Sequence, residues 1–413
     1  MTIDLLAQDA TAKSSGELWR APARYWAEMS AATAHLPAPV AAIDRGALAF
    51  NALDMMVRAG GVPIRVASKS IRVREVLDAV LRLPGYRGIL AFTLAEALWL
   101  SSDHDDIVLG YPTIDRRSLA RLAADEEAAR RITLMVDDPG QLDLIDAVVP
   151  ATARTELRVA VDVDASWRTP GLGHVGVHRS PLHTAQDAVS LARVIVERPG
   201  FRLVGLMMYE AQIAGQPDAT GAGDAVIRWM QRRSAEELRE RRGEVVRRVG
   251  ELAHLDFVNG GGTGSLERTA ADLAVTELTA GSGLLAGHLF DGYRSFDPAP
   301  AAAFALDIVR MPAPDVATVL GGGWVASGPA AQSRLPRPVW PAGLRLLPRE
   351  GAGEVQTPLR GPAAAHLAIG DRVWFRHAKS GELAERVERF ELVSDGGIVA
   401  GIPTYRGEGK AFL

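Results

Sequence analysis

Residues 63–92 read PIRVASKSIRVREVLDAVLRLPGYRGILAF. A short apolar run, Pro63–Ala67, leads into an amphipathic stretch, Ile71–Leu83, and then into a second apolar run, Gly88–Phe92. Strand, helix and strand in that order are the unit from which parallel sheets are built. Outward from this unit the pattern repeats to about Gly283. Further apolar runs fall at Asp106–Leu109, Arg131–Val136, Leu157–Asp162, Phe201–Met208, Leu255–Asn259 and Val275–Thr279, with helical stretches such as Ser118–Ala129 and Thr184–Val196 between them. Eight runs predict an α/β fold, a (β/α)8 TIM-type barrel, for which about 250 residues is usual. An open doubly wound sheet is the alternative, although it seldom needs eight regular repeats.

Two stretches depart from the repeat. Gly221–His254 is longer than one barrel helix requires and rich in Arg and Glu, which predicts an extended, solvated helix. Asp164–Ser180 reads as a glycine-containing loop inserted after a strand end, on the side where barrels keep their active sites. Beyond about Pro300 the texture changes to short β-type runs, as in Val316–Leu320, Gly370–Phe375 and Phe390–Val393. The Gly396–Gly397 pair and the Pro-rich Leu335–Pro341 argue against helices there. The expected division is a barrel over 45–295 and a C-terminal β domain over 296–413 to which 1–44 contributes. No solenoid repeat is visible, and only the first dozen residues read as disordered.

The 413 residues favour two domains, with 47% hydrophobic and 23% charged residues, the balance of a globular chain with a full core. A net charge of −4 gives no basic footprint for nucleic acid or an anionic membrane. With no cysteine there is no disulfide framework, thiolate metal site or Cys nucleophile. Met1–Lys13 carries Asp4 and Asp9 and does not read as a signal peptide, and no apolar stretch approaches the roughly 18 residues of a membrane span. The expectation is a cytoplasmic protein acting on small molecules.

Lys69 closes the first strand, in Arg65-Val66-Ala67-Ser68-Lys69-Ser70. A lysine there points into a barrel mouth, where a desolvated amine of lowered pKa can form a Schiff base. The alternative is a surface lysine at a helix start. Asn259-Gly260-Gly261-Gly262-Thr263-Gly264-Ser265 follows the seventh strand, and Gly281-Ser282-Gly283 follows the eighth. Glycine turns at these two positions coincide with the usual phosphate site of barrel enzymes, with Thr263 and Ser282 as hydroxyl donors. Tyr209 and Gln212 stand at a strand end within reach of a bound ring, or else Tyr209 packs beneath the mouth. On the long loop, Arg168 is the candidate for gripping a substrate carboxylate and His174 for moving a proton; an exposed loop histidine is the competing reading. Glu210 and Glu277 are expected to orient other groups.

Several of these segments are similar to those of one family. The chain resembles the fold-type III enzymes that use pyridoxal 5′-phosphate (PLP): alanine racemase, D-threonine aldolase and D-serine dehydratase. The resemblance runs from Pro37-Ala38-Pro39-Val40 through Asp44 and Asn51, to Arg65, Lys69 and Arg72, to Gly205-Leu206-Met207-Met208-Tyr209-Glu210 and to Thr276-Glu277-Leu278-Thr279-Ala280-Gly281. It implies PLP on Lys69 as a Schiff base and a phosphate held by Gly261, Gly262, Thr263 and Gly264 with Gly281, Ser282 and Gly283. It also implies a small amino acid as substrate and a homodimer whose β domains help close the sites. Within that group the chain resembles sequences labelled amino acid deaminase/aldolase.

Three departures carry chemical weight. Thr279 stands where racemases put an arginine against the pyridine nitrogen, and Gly283 where relatives have a tyrosine near the phosphate. The aldolases and dehydratases hold a divalent metal on a His-X-Asp or His-X-Cys pair, and the matching stretch here is Arg376-His377-Ala378-Lys379-Ser380-Gly381-Glu382. A protonated Lys379 cannot ligate a metal. The resulting expectation is a metal-independent PLP lyase, of aldolase or ammonia-lyase type, acting on a β-hydroxy amino acid with Lys379 and His377 at the site. A solvated turn, or a metal on His377 and Glu382, are the competing readings of that segment. An amino acid racemase and a non-catalytic PLP-binding protein are the competing readings of the chain.

Overall fold

A computed structural model describes residues 3–5 and 17–413. The expectations for Met1–Lys13 and for a disordered first dozen residues lie largely outside the described residues. The chain forms two compact units, one of Met55–Ser68, Pro84–Ala280 and Phe412–Leu413, the other of Met1–Asp54, Lys69–Leu83 and Gly281–Ala411.

The first unit is a closed barrel of eight strands in chain order: Ile64–Ala67, Tyr86–Ala91, Ile107–Leu109, Ile132–Val136, Leu157–Asp162, Phe201–Met208, Phe257–Gly260 and Glu277–Ala280. All neighbours run parallel, and the eighth pairs with the first through Leu278 and Ile64. Each predicted strand is present, with ends moved by a residue or two. Strand side chains alternate in direction, and Val108, Met135, Ala160, Met207 and Phe257 pack together with Leu90, joined by Val204 at a register shift in the sixth strand. Gly205 is paired with Phe257 on the neighbouring strand, and a Cβ added there would lie 2.4 Å from the Phe257 ring. One ring fills the space of two side chains.

The connecting segments correct the sequence reading in three places. The helix expected over Ser118–Ala129 is two helices, Arg116–Ala124 and Glu126–Arg131. Asp125 ends the first and caps the second, its side chain accepting the Ala128 N–H at 3.0 Å, as an N-cap aspartate does. The loop Asp164–Ser180 carries a small antiparallel pair, Trp167–Thr169 with Gly173–Val175. The long helix is Asp224–Gly250, but it is not simply solvated: Gln231, Ser234, Leu238, Arg242, Val245 and Val249 are buried along one face. Spacings of three and four residues put them in one stripe.

In the second unit, a nine-stranded sheet has Val40–Asp44 at its centre, antiparallel to Ala302–Ala313 and parallel to Arg389–Ser394. A helix that sequence reading missed, Pro22–Ala32, lays Tyr25, Trp26 and Met29 on Val40, Ala303, Ala305 and Trp374. The Pro-rich stretch supplies a strand, Arg337–Trp340, which among the described residues pairs with Arg372–Arg376 alone, and an edge is where a sheet tolerates proline. The helix expected over Ile71–Leu83 is shorter, Arg74–Leu81, because Arg72 takes a left-handed φ of 55°. Among the described residues no helix is long and apolar enough to cross a membrane.

The Gly205 and Phe257 pair gives a test of the barrel core. Gly205→Val should cost about 1–3 kcal/mol by overpacking, read as a lower urea midpoint. Adding Phe257→Leu to the same chain should recover part of that loss, because the colliding ring is gone.

Candidate active site

The interior below the mouth is tied together by a buried arginine. Arg65, on the first strand, is 2% exposed. Its Nε and Nη2 donate to Glu277 Oε1 and Oε2 at 2.8 Å each, and its Nη1 donates to Asp106 Oδ1 at 2.8 Å. Burial by itself would lower the guanidinium pKa, but Glu277 and then Asp106 outweigh it and push the pKa up. Glu277 Oε1 also accepts Asn259 Nδ2 at 2.8 Å, and the same Asn259 amide donates to Thr279 Oγ1 at 2.8 Å. The Thr279 hydroxyl therefore sits at the upper end of a charged ladder.

A second buried ion pair shapes the first glycine turn. Arg242, on the long helix, donates to Asp272 Oδ2 at 2.6 Å, to Glu210 Oε2 at 3.2 Å and to the Met208 carbonyl at 3.0 Å. Glu210 in turn accepts the Gly261 N–H at 3.1 Å, the Ser265 hydroxyl at 3.4 Å and the Thr269 hydroxyl. Gly261 has a φ of 83°, in the left-handed region that glycine adopts without strain. Gly262 donates its N–H to Ser265 Oγ at 3.2 Å, and a Cβ on it would lie 2.9 Å from Ala214 and 3.3 Å from the Tyr209 ring. Glycine at 262 is thus required by packing beneath Tyr209, a reason the sequence did not show. The Gly264 N–H has no partner among the described residues.

Around the mouth stand four residues that sequence reasoning missed: Tyr111, Asp137, Asp162 and Arg179. The fourth and fifth strands pair Val136 with Val161, so Asp137 and Asp162 follow in register and share a side. Burial, then Asp137, pushes the Asp162 carboxyl up to about 7, with Arg179 acting in the opposite direction and Asp164 adding to the rise. Asp137 is also raised, by burial, although Gln141 Nε2 donates to it at 2.7 Å. The Arg179 guanidinium lies 5.2 Å from the centre of the Tyr209 ring and 5.7 Å from that of Tyr111. Burial pushes the Tyr209 phenol up to about 12. The signal was available: both aspartates fall at the C-terminal ends of predicted strands, where barrel chemistry collects.

The loop residues are brought together, but not as free side chains. Arg168 pairs with Asp164 at 2.9 Å, and Asp164 also accepts the Ser166 N–H and hydroxyl. Gln212 is buried and donates to the Ala165 carbonyl at 2.7 Å and to Ser234 Oγ at 2.8 Å. Both therefore brace the Asp164–Ser166 segment. His174 stacks on His178 with ring centres 3.9 Å apart, and its buried Nε2 has no hydrogen-bond partner among the described residues.

In the sheet unit, Lys69 lies in a 3₁₀ turn, Ser68–Ser70, that follows the first barrel strand directly in the chain. Its carbonyl accepts Arg72 Nε at 3.0 Å, and a Cβ on Gly381 would lie 2.1 Å from the same oxygen. The Lys69 backbone is thus pinned against the His377–Glu382 segment while the residue itself is exposed. That segment is not a solvated turn: Arg376, His377 and Ala378 are buried, and the Ala378 carbonyl accepts the Leu289 N–H at 3.0 Å. Burial pushes the His377 pKa down, against the pull of Glu382 and of the Ala302 backbone. Glu382 accepts the Lys379 N–H at 2.6 Å and the Ser380 N–H at 2.7 Å. Gly281 and Gly283 are buried beside Ser282 at the start of the short helix Ser282–Leu285.

A closed parallel barrel with charged ladders inside, glycine turns after its seventh and eighth strands and a lysine after its first, joined in one chain to a β-rich sheet, defines a class of barrel proteins. The chain belongs to the alanine racemase N-terminal domain family, whose model matches residues 43–250. It is 28% identical over 274 residues to D-threonine aldolase from Arthrobacter sp, a match that spans 62% of this chain and only 62% of that relative's length. The fold is similar to that of D-threonine aldolase from Filomicrobium marinum, with a TM-score of 0.75 at 18% identity over 91% of this chain and 96% of that one. It is also similar to that of D-threo-3-hydroxyaspartate dehydratase from Delftia sp. HT23, at 0.69 and 19% over 90% and 98%. Alanine racemase from Corynebacterium glutamicum is more distant, at 0.53 and 16% over 85% and 94%.

Asp162 supplies a pH test. Its pKa is 3.8 without the fold and about 7 within it, so between these values the folded chain holds an extra proton. Stability therefore falls as pH rises through that window, and Asp162→Asn should abolish this fall. The variant should gain on the order of 1–3 kcal/mol over the native chain at about pH 8 and little at about pH 4. Urea unfolding at both values checks this; the same difference at each would show that Asp162 ionises normally.

Proposed function

We propose that this chain is a PLP-dependent lyase that acts on a small β-hydroxy amino acid by cleaving Cα–Cβ or removing the β-hydroxyl. The observation that carries the reading is Lys69, an exposed lysine on a backbone pinned by Arg72 and Gly381, directly after the first barrel strand. The names of the relatives, an aldolase and a dehydratase of hydroxy amino acids, support it.

The residues fit PLP. Lys69 Nζ would hold its aldehyde carbon. The turn at Gly261, Gly262, Thr263 and Gly264, whose Gly264 N–H has no partner among the described residues, would bind phosphate, as would Gly281, Ser282 and Gly283 at a helix start. Thr279, fixed by Asn259, would meet the pyridine nitrogen with a neutral hydroxyl. Tyr209, whose phenol burial keeps neutral, would pack against the ring. Bound there, PLP supplies an electron-poor ring that stabilises negative charge at Cα.

The chain's own groups complete the chemistry. Cleavage of Cα–Cβ requires a base for the β-hydroxyl proton, a role we assign to His174 through its Nε2, unpartnered among the described residues. Arg168 and Gln212 hold the loop on which His174 stands. A divalent metal, implied by the family resemblance, does not fit the donor set. The second position of the pair is Lys379, whose ammonium cannot ligate an ion, and both Glu382 oxygens accept backbone N–H groups. The Lys379 ammonium, with neutral His377 behind it, would stabilise the developing oxyanion instead. The enzyme is expected to work as a cytoplasmic homodimer, and sedimentation showing a fully active monomer would count against that arrangement.

Two experiments test the reading. Borohydride should fix PLP to Lys69 alone among the four lysines, and Lys69→Ala should remove the fixed cofactor while leaving the unfolding midpoint unchanged. Exhaustive chelation should leave turnover of D-threonine and D-serine unaltered, whereas Lys379→Ala should lower turnover by about 100-fold or more, the usual scale for one oxyanion donor. Product analysis separates the outcomes: an aldehyde or a keto acid supports a lyase, and a racemate or no product overturns it.

A further inference from the structure

Arg179 differs from the other arginines described around the barrel. Arg65 is bound by Glu277 and Asp106, Arg242 by Asp272 and Glu210, and Arg168 by Asp164. Arg241 is bound by Glu237 and by the carbonyls of Asp164, Ser166 and His183. Arg179 has no carboxylate within ion-pair distance and no hydrogen-bond acceptor among the described residues, and it is exposed. Its place is nonetheless fixed. The next residue, Ser180, is buried and donates its hydroxyl to the Asp162 carbonyl at 2.7 Å, at the end of the fifth strand. The guanidinium lies over the rings of Tyr209 and Tyr111.

Aromatic rings attract a guanidinium without taking up its N–H donors as carboxylates do. Its N–H donors lie in the plane, in the fork that matches a carboxylate in two parallel hydrogen bonds. A cation held in this way keeps its donors for a planar oxyanion. Its neighbours favour such a ligand. Asp162, within electrostatic reach of it, has its carboxyl pushed up to about 7, which weakens its competition as an anion below that pH. The edge of Tyr209, the ring beneath Arg179, reaches the Gly262 turn, 3.3 Å from where a Cβ of that residue would stand. One tyrosine thus separates the cation from the turn assigned to phosphate.

We propose that Arg179, rather than Arg168, is the receptor for the carboxylate of the amino acid substrate, placed beside the Tyr111 and Tyr209 rings at the barrel mouth. This rests on the PLP reading and adds a specificity-determining residue to it. The site selects ligands that carry a free carboxylate and rejects their amides, because an amide cannot pair with the cation.

The test compares the PLP-loaded protein with its Arg179→Gln and Arg179→Lys variants. D- and L-alanine and their carboxamides serve as ligands, since without a β-hydroxyl they undergo neither cleavage nor elimination. The cofactor spectrum is recorded first, without ligand; dissociation constants then come from its change and from the rise in Tm. Arg179→Gln should weaken alanine binding by about 10–100-fold and leave the carboxamide unchanged within about twofold, and Arg179→Lys should restore part of the loss. Equal weakening of acid and amide would mean that Arg179 only braces the loop, and no weakening of either would place the carboxylate elsewhere; both overturn the proposal. A native protein with no PLP spectrum would remove the reading beneath it, a failure visible before any amino acid is added.

Discussion

The barrel closes where its first strand meets its eighth, and at that seam a charge is buried. Arg65 and Glu277 are both almost inaccessible to solvent, and each would be costly to bury alone. Together, with Asp106 and Asn259 taking the remaining bonds, they leave few geometries open. Arg65 fixes Glu277, Glu277 fixes Asn259, and Asn259 fixes the Thr279 hydroxyl. Such a network stabilises little relative to an apolar core of the same volume, but breaking one member strands the others. What it supplies is position. The hydroxyl assigned to the pyridine nitrogen is held by a rigid support rather than by a loop.

The same logic recurs one layer higher. Arg242 enters from the long helix and meets Glu210, which holds the Gly261 amide and the Ser265 and Thr269 hydroxyls. A glycine turn is permissive by nature, and this one is made single-valued by a carboxylate beneath it. Arg241 does the equivalent for the long loop by bonding two of its carbonyls, Asp164 and Ser166, and that of His183 just beyond it. The 27-residue helix therefore braces both the turn and the loop, which accounts for a length no ordinary barrel crossover needs.

The two networks also explain which cations are available for ligands. Arginines inside the barrel are neutralised by carboxylates, since an unpaired buried charge is too costly. Arg179 sits at the rim, where aromatic rings rather than carboxylates hold it. Lys69 follows the same rule: its backbone is constrained and its residue exposed, so that rigidity and access are combined in one position.

The eight strands were legible in the sequence because periodicity is a local property: an apolar run bounded by turns reads the same in any context. Lys69, the glycine turns and the His377–Glu382 stretch were legible as well, through their place in that pattern and their likeness to a family. What the tertiary structure alone decided was the partner of each polar group. Nothing local pairs Arg65 with Glu277 across 212 residues, or turns Arg242 inward from a helix that reads as solvated. Nothing local shows that Arg168 is occupied by Asp164 while Arg179 lies open over two tyrosines. Hydrogen bonds and ion pairs act over a few ångströms, and the fold, not the spacing along the chain, sets which groups come that close.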